Sequence, residues 1–227
     1  MGSSDEDDDS LRPQPAWSLA VASWRRAVHD LYAAVRAEPD PVAAHAVWAA
    51  GRSVLFATHP ASPRQPGQVL QHAAYDPAMR FELPMLPADP ERWAPQTGTD
   101  GAVPFDRVGR FELPGLGSLD VWWLASYGNG FFVPLRDATA GRSTYGAGRY
   151  LLDTVKGADL GRADGRGGVS GPGERWVVDL NFAYNPSCTY DPAWACPLAP
   201  TGNRLAAEVP VGELLPAASP TPARPAR

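Results

Sequence analysis

The sequence is poor in lysine, cysteine and histidine, and each shortage narrows the chemistry open to it. Of its 20 basic side chains only Lys156 is a lysine, so Schiff-base chemistry has a single candidate nucleophile. The cysteines, Cys188 and Cys196, are just two, and no C-x-x-C step is present. The histidines, His29, His45, His59 and His72, all precede residue 75, so a tetrahedral zinc site would need ligands far apart in the chain. No metal and no cofactor are therefore expected. A run of about 18 apolar residues is lacking, and with it any expected membrane span. Met1 to Ser10 is acidic rather than basic and then apolar, unlike a secretory signal, and the cytoplasm is the expected compartment. A basic surplus is lacking too: 25 acidic side chains give a net charge of −5, which speaks against nucleic acid as a partner. Asp5 to Asp9 supply five of those acids, so the body is neutral and only local arginines carry charge information.

What is present is a chain of 227 residues, 44% hydrophobic, enough for a real core. The expected division is an acidic arm over 1–15, one globular domain over 16–215, and a loose tail over 216–227. Within the domain 16–58 reads as helical and 59–215 as mainly β; there is no internal repeat. Trp17, Val21, Trp24, Val28, Leu31 and Val35 form one apolar stripe at helical spacing. Pro39 ends that helix, and Asp40-Pro41 opens a second with an N-cap and a proline at its first position. Val42, Ala46, Ala49, Ser53 and Phe56 are its expected buried side. Nine prolines in 60–105 point to edge strands and irregular connections. From Val108 the period becomes two, with Leu119, Val121 and Trp123 on one face and Asp120, Trp122 and Leu124 on the other. Tyr127-Gly128-Asn129-Gly130 is a hairpin turn. Trp176–Tyr184 reads as a further strand, with Trp176, Val178, Leu180, Phe182 and Tyr184 on one face and Val177, Asp179, Asn181 and Ala183 on the other. Asp159–Gly173 is a polar, glycine-rich loop. The fold class expected is α+β: an N-terminal pair of helices followed by an antiparallel, barrel-like β-sheet.

Three stretches are denser in polar residues than a scaffold requires: 134–141, 144–151 and 179–205. Asp179 and Asn181 on one strand face, with Asn185 after it, would line the interior of a closed sheet and need partners there. Arg136, Arg142 and Arg149 are the available cations. One reading makes Arg136, Asp137, Tyr145, Arg149, Asp179, Asn181, Tyr184, Asn185 and Asn203 a pocket whose guanidinium binds a carboxylate or phosphate. The other makes Arg149 with Asp179, or with Asp137, a structural ion pair. Cys188 and Cys196 read most simply as two packed thiols, with a disulfide or redox pair, a metal site and a nucleophile as alternatives. Among the histidines His59, at a helix end, is the first candidate for catalysis.

These stretches resemble the domain of unknown function 1684 family of bacterial and archaeal proteins. The resemblance is carried by Arg136-Asp137-Ala138-Thr139-Ala140-Gly141 with Tyr145 to Leu151, by "DLNFAYNPSCTYDPAWACPLAP" over 179–200, and by Asn203-Arg204-Leu205. It extends from Trp24 to Glu213 and, in "WRRAVHDLYAAVRAEPDP" and "THPASP", is similar to the short form of the family, where Arg64 replaces the usual leucine after Ser62-Pro63. The family supplies positions and no mechanism. The function expected is a soluble β-domain with a polar pocket for a small ligand, the arginines favouring an anion. The alternative is a hydrolase- or lyase-type enzyme with Asp179 as base, Arg149 as anion clamp and Tyr145 or Tyr184 as proton donor. A third reading is a protein-interaction adaptor using the arm and the tail. Nothing in the sequence speaks to oligomeric state.

Overall fold

The computed structural model describes residues 15–98, 101–163 and 174–218. The expected arm through residue 14, most of the glycine-rich loop, and the expected tail from 219 onward lie outside the described residues.

Helices α1 (Pro15–Ala37) and α2 (Pro41–Thr58) form the expected N-terminal pair. The junction is fixed locally. Asp40 accepts hydrogen bonds from the Val42 and Ala43 amides at 3.3 and 3.2 Å, and Pro41 occupies the first turn, where its missing N–H costs nothing. At the other end of α2 the Arg64 guanidinium donates to the carbonyls of Phe56 and Ala57. A cation there satisfies orphan carbonyls and opposes the helix dipole.

The buried faces differ from the expected ones. In α1, Val28 and Val35 are buried, joined by Tyr32 from off the stripe. Trp17 is exposed, and Val21 and Trp24 are half-buried. In α2 the expected side is corrected: Ala44, His45, Trp48, Arg52 and Phe56 face inward, whereas Val42 and Ala46 are exposed. An apolar-only reading misplaces this face because two of its residues, His45 and Arg52, are polar. Arg52 is admitted by a buried acid described below.

The sheet begins after β1 (Gln68–Val69) and β2 (Arg80–Pro84). Its strands are β3 (Arg92–Trp93), β6 (Phe105–Leu113), β7 (Gly117–Leu124), β8 (Phe131–Leu135) and β9 (Arg149–Asp153). They lie in the order β3-β6-β7-β8-β9, all neighbours antiparallel, curled into a half-barrel. The turn between β7 and β8 puts Asn129 at φ 41°, a left-handed conformation that asparagine tolerates. Three small antiparallel pairs accompany the sheet: β4 (Gln96–Thr97) with β5 (Gly101–Ala102), β10 (Arg175–Asp179) with β2, and β11 (Ala217–Ala218) with β1. Ala217 and Ala218 thus pair although they fall in the segment expected to be loose.

The strand expected over 176–184 is also corrected. It ends at Asp179, whose carboxylate accepts the Asn181 amide at 3.0 Å and caps a single 3-10 turn over Leu180–Phe182. Alternation fails there: Leu180, Asn181, Phe182 and Ala183 are all buried as the chain turns inward. It then meets β9, where the Tyr150 and Tyr184 backbones exchange two 2.8 Å hydrogen bonds.

Two cores are separated by alternation along β7 and β8 and, in β6, by the bulge between Arg107 and Gly109, which puts Phe105 and Phe111 on opposite faces. Phe111, Leu113, Leu119, Val121, Val133 and Leu135 fill the concave side with Val178, Leu180 and Val209. Phe105, Trp122, Phe132 and Tyr150 face the helices and pack with Val28, Tyr32 and Trp48.

Candidate functional site

The sequence-predicted polar residues do not converge on one open cavity; they divide into separate, mostly buried networks. Arg149 is about 1% exposed and spends its guanidinium on protein acceptors. It donates to Asp137 Oδ1 at 3.1 Å and to the carbonyls of Val209, Val211 and Glu213. Asp137 in turn accepts from the Thr139 amide, the Thr139 hydroxyl and the Val209 amide. Burial opposes ionisation of Asp137, but these donors and Arg149 outweigh it and lower its pKa. The ion pair is Arg149 with Asp137 and closes the 136–148 connection on itself, while the hydrogen bonds of both side chains to the 209–213 backbone pin that connection to the C-terminal segment.

Asp179 lies elsewhere. It accepts from the Tyr75 hydroxyl at 3.0 Å and the Asn181 side chain at 2.8 Å, and Arg80 Nε is 4.0 Å away. Burial raises its pKa in spite of those donors. Asn181 also bonds both backbone groups of Asp76 at 2.8 Å. Asn203 is a latch: its amide accepts from Trp122 Nε1 and donates to the Asp120 and Pro134 carbonyls, each at 2.8 Å. Arg136 donates to the Gly146 carbonyl, and the Tyr145 hydroxyl to Cys188 Sγ at 3.6 Å. His59, the first catalytic candidate, caps α2 and accepts the Ala61 amide.

Tyr184 and Asn185 belong to a network that sequence reading missed because its centre, Glu213, carries no motif. Glu213 is fully buried. Arg52 Nε donates to its Oε1 at 2.7 Å, and His72 Nε2 lies 3.5 Å from the same oxygen. The Asn185 amide and the Tyr190 hydroxyl donate to Oε2 at 2.6 and 3.2 Å. Arg52 is also stacked over the rings of Phe56 and Tyr184, at 4.7 and 4.8 Å. Burial alone would raise the Glu213 pKa. The charge of Arg52 and the hydrogen bonds from His72 and Arg52 outweigh it and hold it down to about 2.

The space large enough for a ligand lies outside these networks. A cavity of about 550 Å³ opens between the N-terminal half of α1 and the outer end of the sheet. Trp17, Val21, Trp24 and Arg25 form its α1 wall, which explains why the apolar stripe of α1 runs on past the helix-packing contact. Phe105, Leu124, Phe132 and Tyr150 come from the sheet, Asp153 and Lys156 from the end of β9 and the turn after it, and Ala193 to Pro197 from the cysteine loop. Phe132 meets Phe105 at 5.3 Å and Tyr150 at 4.8 Å between ring centres. Two exposed cations, Arg25 and Lys156, and one acid, Asp153, thus line a mainly apolar enclosure. Lys156 Nζ is 3.3 Å from Asp153, which raises the lysine pKa and keeps the ammonium charged. Its uniqueness as the only lysine was legible; its placement was not. Among the described residues no group of three or more His, Cys, Asp or Glu side chains is arranged to hold a metal, and no helix is long and apolar enough to cross a membrane.

Fold and site together define an α+β protein in which α1 and a curled antiparallel sheet enclose a mainly apolar cavity. The chain belongs to the family described as protein of unknown function (DUF1684), whose model matches residues 68–214. It is similar to the uncharacterised protein from gene locus rrnAC0354 of Haloarcula marismortui, whose solution NMR structure shares 29% sequence identity. That likeness has a TM-score of 0.52 and covers 73% of this chain and 89% of the other. No curated protein matches the chain. The matched family stretch starts after α2, so Arg25 and Arg52 reach into it from helices that precede it, one at the cavity and one at Glu213.

Proposed function

We propose that this protein binds a small, largely apolar molecule with an anionic end in the cavity beneath α1. The observation that carries the reading is the wall itself: Trp24, Phe105, Phe132, Tyr150 and Trp194 around about 550 Å³, with Arg25 and Lys156 against a single carboxylate, Asp153. Small-ligand sites are mainly apolar, carry a few orienting polar groups and enclose roughly 300–1,000 Å³. The ammonium of Lys156, already held by Asp153, would share its remaining hydrogens with a ligand carboxylate. A charge-assisted hydrogen bond in such a place orients the ligand, and the aromatic wall supplies the affinity.

The test is a ligand series in thermal unfolding and calorimetry: alkanoates of increasing chain length, the matching alcohols, and inorganic phosphate. Longer alkanoates are expected to raise the unfolding temperature more than the alcohols, and phosphate to leave it unchanged, because only a ligand that binds the folded state stabilises it by mass action. Lys156→Met should weaken alkanoate binding by about tenfold, roughly 1.4 kcal/mol. Ala195→Trp, at an exposed position on the wall, should block the cavity and abolish binding. Failure of every alkanoate to shift the transition, or unchanged binding in Ala195→Trp, refutes the reading.

A further inference from the structure

Cys196 lines the cavity, and Cys188, which follows the lining residue Ser187, shares a side-chain hydrogen bond with it. Cys188 sits in the short 3-10 turn Ser187–Thr189, and Cys196 in the extended stretch after Trp194. Each sulfur is the strongest influence on the other's ionisation, as expected of neighbouring thiols. Both are free and half-buried, so neither is sealed from small reagents. Their surroundings differ. Cys188 receives the Tyr145 hydroxyl at 3.6 Å and does not line the cavity. Cys196 does line it, on the same wall as Lys156 and Tyr150.

We propose that the two cysteines are a peroxide-reactive pair, in which Cys196 attacks a hydroperoxide entering the cavity and Cys188 resolves the product as an intramolecular disulfide. In the first step the Cys196 sulfur bonds to the terminal peroxide oxygen and the O–O bond breaks. The leaving alkoxide or hydroxide takes up a proton and departs as alcohol or water, and Cys196 becomes a sulfenic acid. In the second step the Cys188 sulfur bonds to the Cys196 sulfur and the S–O bond breaks. The hydroxide leaves with the proton of Cys188 as water. Two electrons pass from the two thiols to the peroxide, and no other reactant is consumed.

The division of roles follows from the surroundings. Hydrogen bonding from Cys188 is the main influence holding the Cys196 pKa down to about 6, against burial, with the Lys156 charge adding to it. Cys188, which keeps the shared proton, is pushed well above the ordinary thiol range by the same contact and by burial. Cys196, which lines the cavity, is therefore the sulfur that an entering oxidant meets first, and Cys188, outside the lining, is the one left to resolve the product. The inference needs only access for a small oxidant and does not depend on the apolar-anion reading; the two are scored in separate assays.

The experiment treats the reduced full chain with hydrogen peroxide and follows intact mass. The wild type is expected to consume one peroxide per chain, lose two hydrogens and form no disulfide between chains. With dimedone present, Cys188→Ser should accumulate a sulfenic-acid adduct on Cys196, whereas Cys196→Ser should give none on Cys188. Limited alkylation of the unaltered protein with iodoacetamide supplies a second measurement that involves no variant: peptide mapping should find Cys196 labelled first. Preferential modification of Cys188, or oxidation that yields intermolecular disulfides or over-oxidised thiols instead of the internal bond, overturns the proposal.

Discussion

Replacing Arg52 with methionine is the most informative perturbation of this fold, because it removes one partner from the buried pair that joins the helices to the C-terminal segment. Its magnitude can be approached in two ways. Glu213 stays ionised down to about pH 2, against an ordinary value of 4.5. At about 1.4 kcal/mol per pH unit that corresponds to about 3 kcal/mol of stability at neutral pH. Independently, stranding one charge of a buried pair costs about 3–5 kcal/mol. Either figure is a large share of a total stability of about 5–15 kcal/mol. The sign with pH follows from the lowered pKa: the contribution is complete above about pH 4.5 and is lost as pH falls towards 2. The deficit of Arg52→Met should therefore be greatest at pH 7 and shrink on acidification, since the stranded Glu213 then takes up a proton. Urea unfolding followed by tryptophan fluorescence at pH 7, 5 and 4 measures it. Adding Glu213→Gln to Arg52→Met should recover much of the loss, because removing both charges leaves none unpaired. A deficit below about 1 kcal/mol at pH 7, or a double variant no better than the sum of the singles, refutes the reasoning.

Three further outcomes are expected. Asn203→Leu removes all three 2.8 Å bonds of the latch and leaves Trp122 Nε1 and two buried carbonyls unpaired; it should cost about 3 kcal/mol and lower the melting temperature in calorimetry by about 6–12 °C. Gly202→Ala would drive its Cβ into the Asp120 carboxylate, which Arg107 and Arg110 hold from the other side at 2.9 Å; a loss of about 1–3 kcal/mol is expected in urea unfolding, and a neutral result would show that this contact relaxes freely. The alkylation rate of Cys196 should titrate near pH 6, and Cys188→Ala should move that midpoint upward by removing the hydrogen bond that is its main cause; an unmoved midpoint would assign the depression to Lys156 instead.

How much could be read in advance depended on how local the deciding interaction is. The two helices and their junction were legible because Pro39, Asp40 and Pro41 act on the backbone within one turn. Strand β7 was legible because alternation over 119–124 reports its two faces directly. The family motifs marked 134–152, 179–200 and 203–205, and the structure buries Asp137, Arg149, Asp179, Asn181, Asn185 and Asn203 of those stretches while leaving 192–195 exposed. Their partners were not legible. Arg149 had Asp137 and Asp179 as equal candidates on paper, and only the approach of 209–213 to β9 gave its donors the carbonyls that fix the choice.

The sequence by itself determined the α+β class, the helix boundaries, the neutral body and the single lysine, since each follows from composition or from contacts a few residues apart. Tertiary structure alone decided which face of α2 is buried, because a buried arginine is tolerated only where its charge is met, and for Arg52 the acid, Glu213, comes from far along the chain. It decided that β10 stops at Asp179, because the following residues leave the ribbon to enter the core. It also decided where a ligand could sit. A cavity is the space left among α1, the sheet and the cysteine loop, and no single segment encodes a space that exists only once all three are packed.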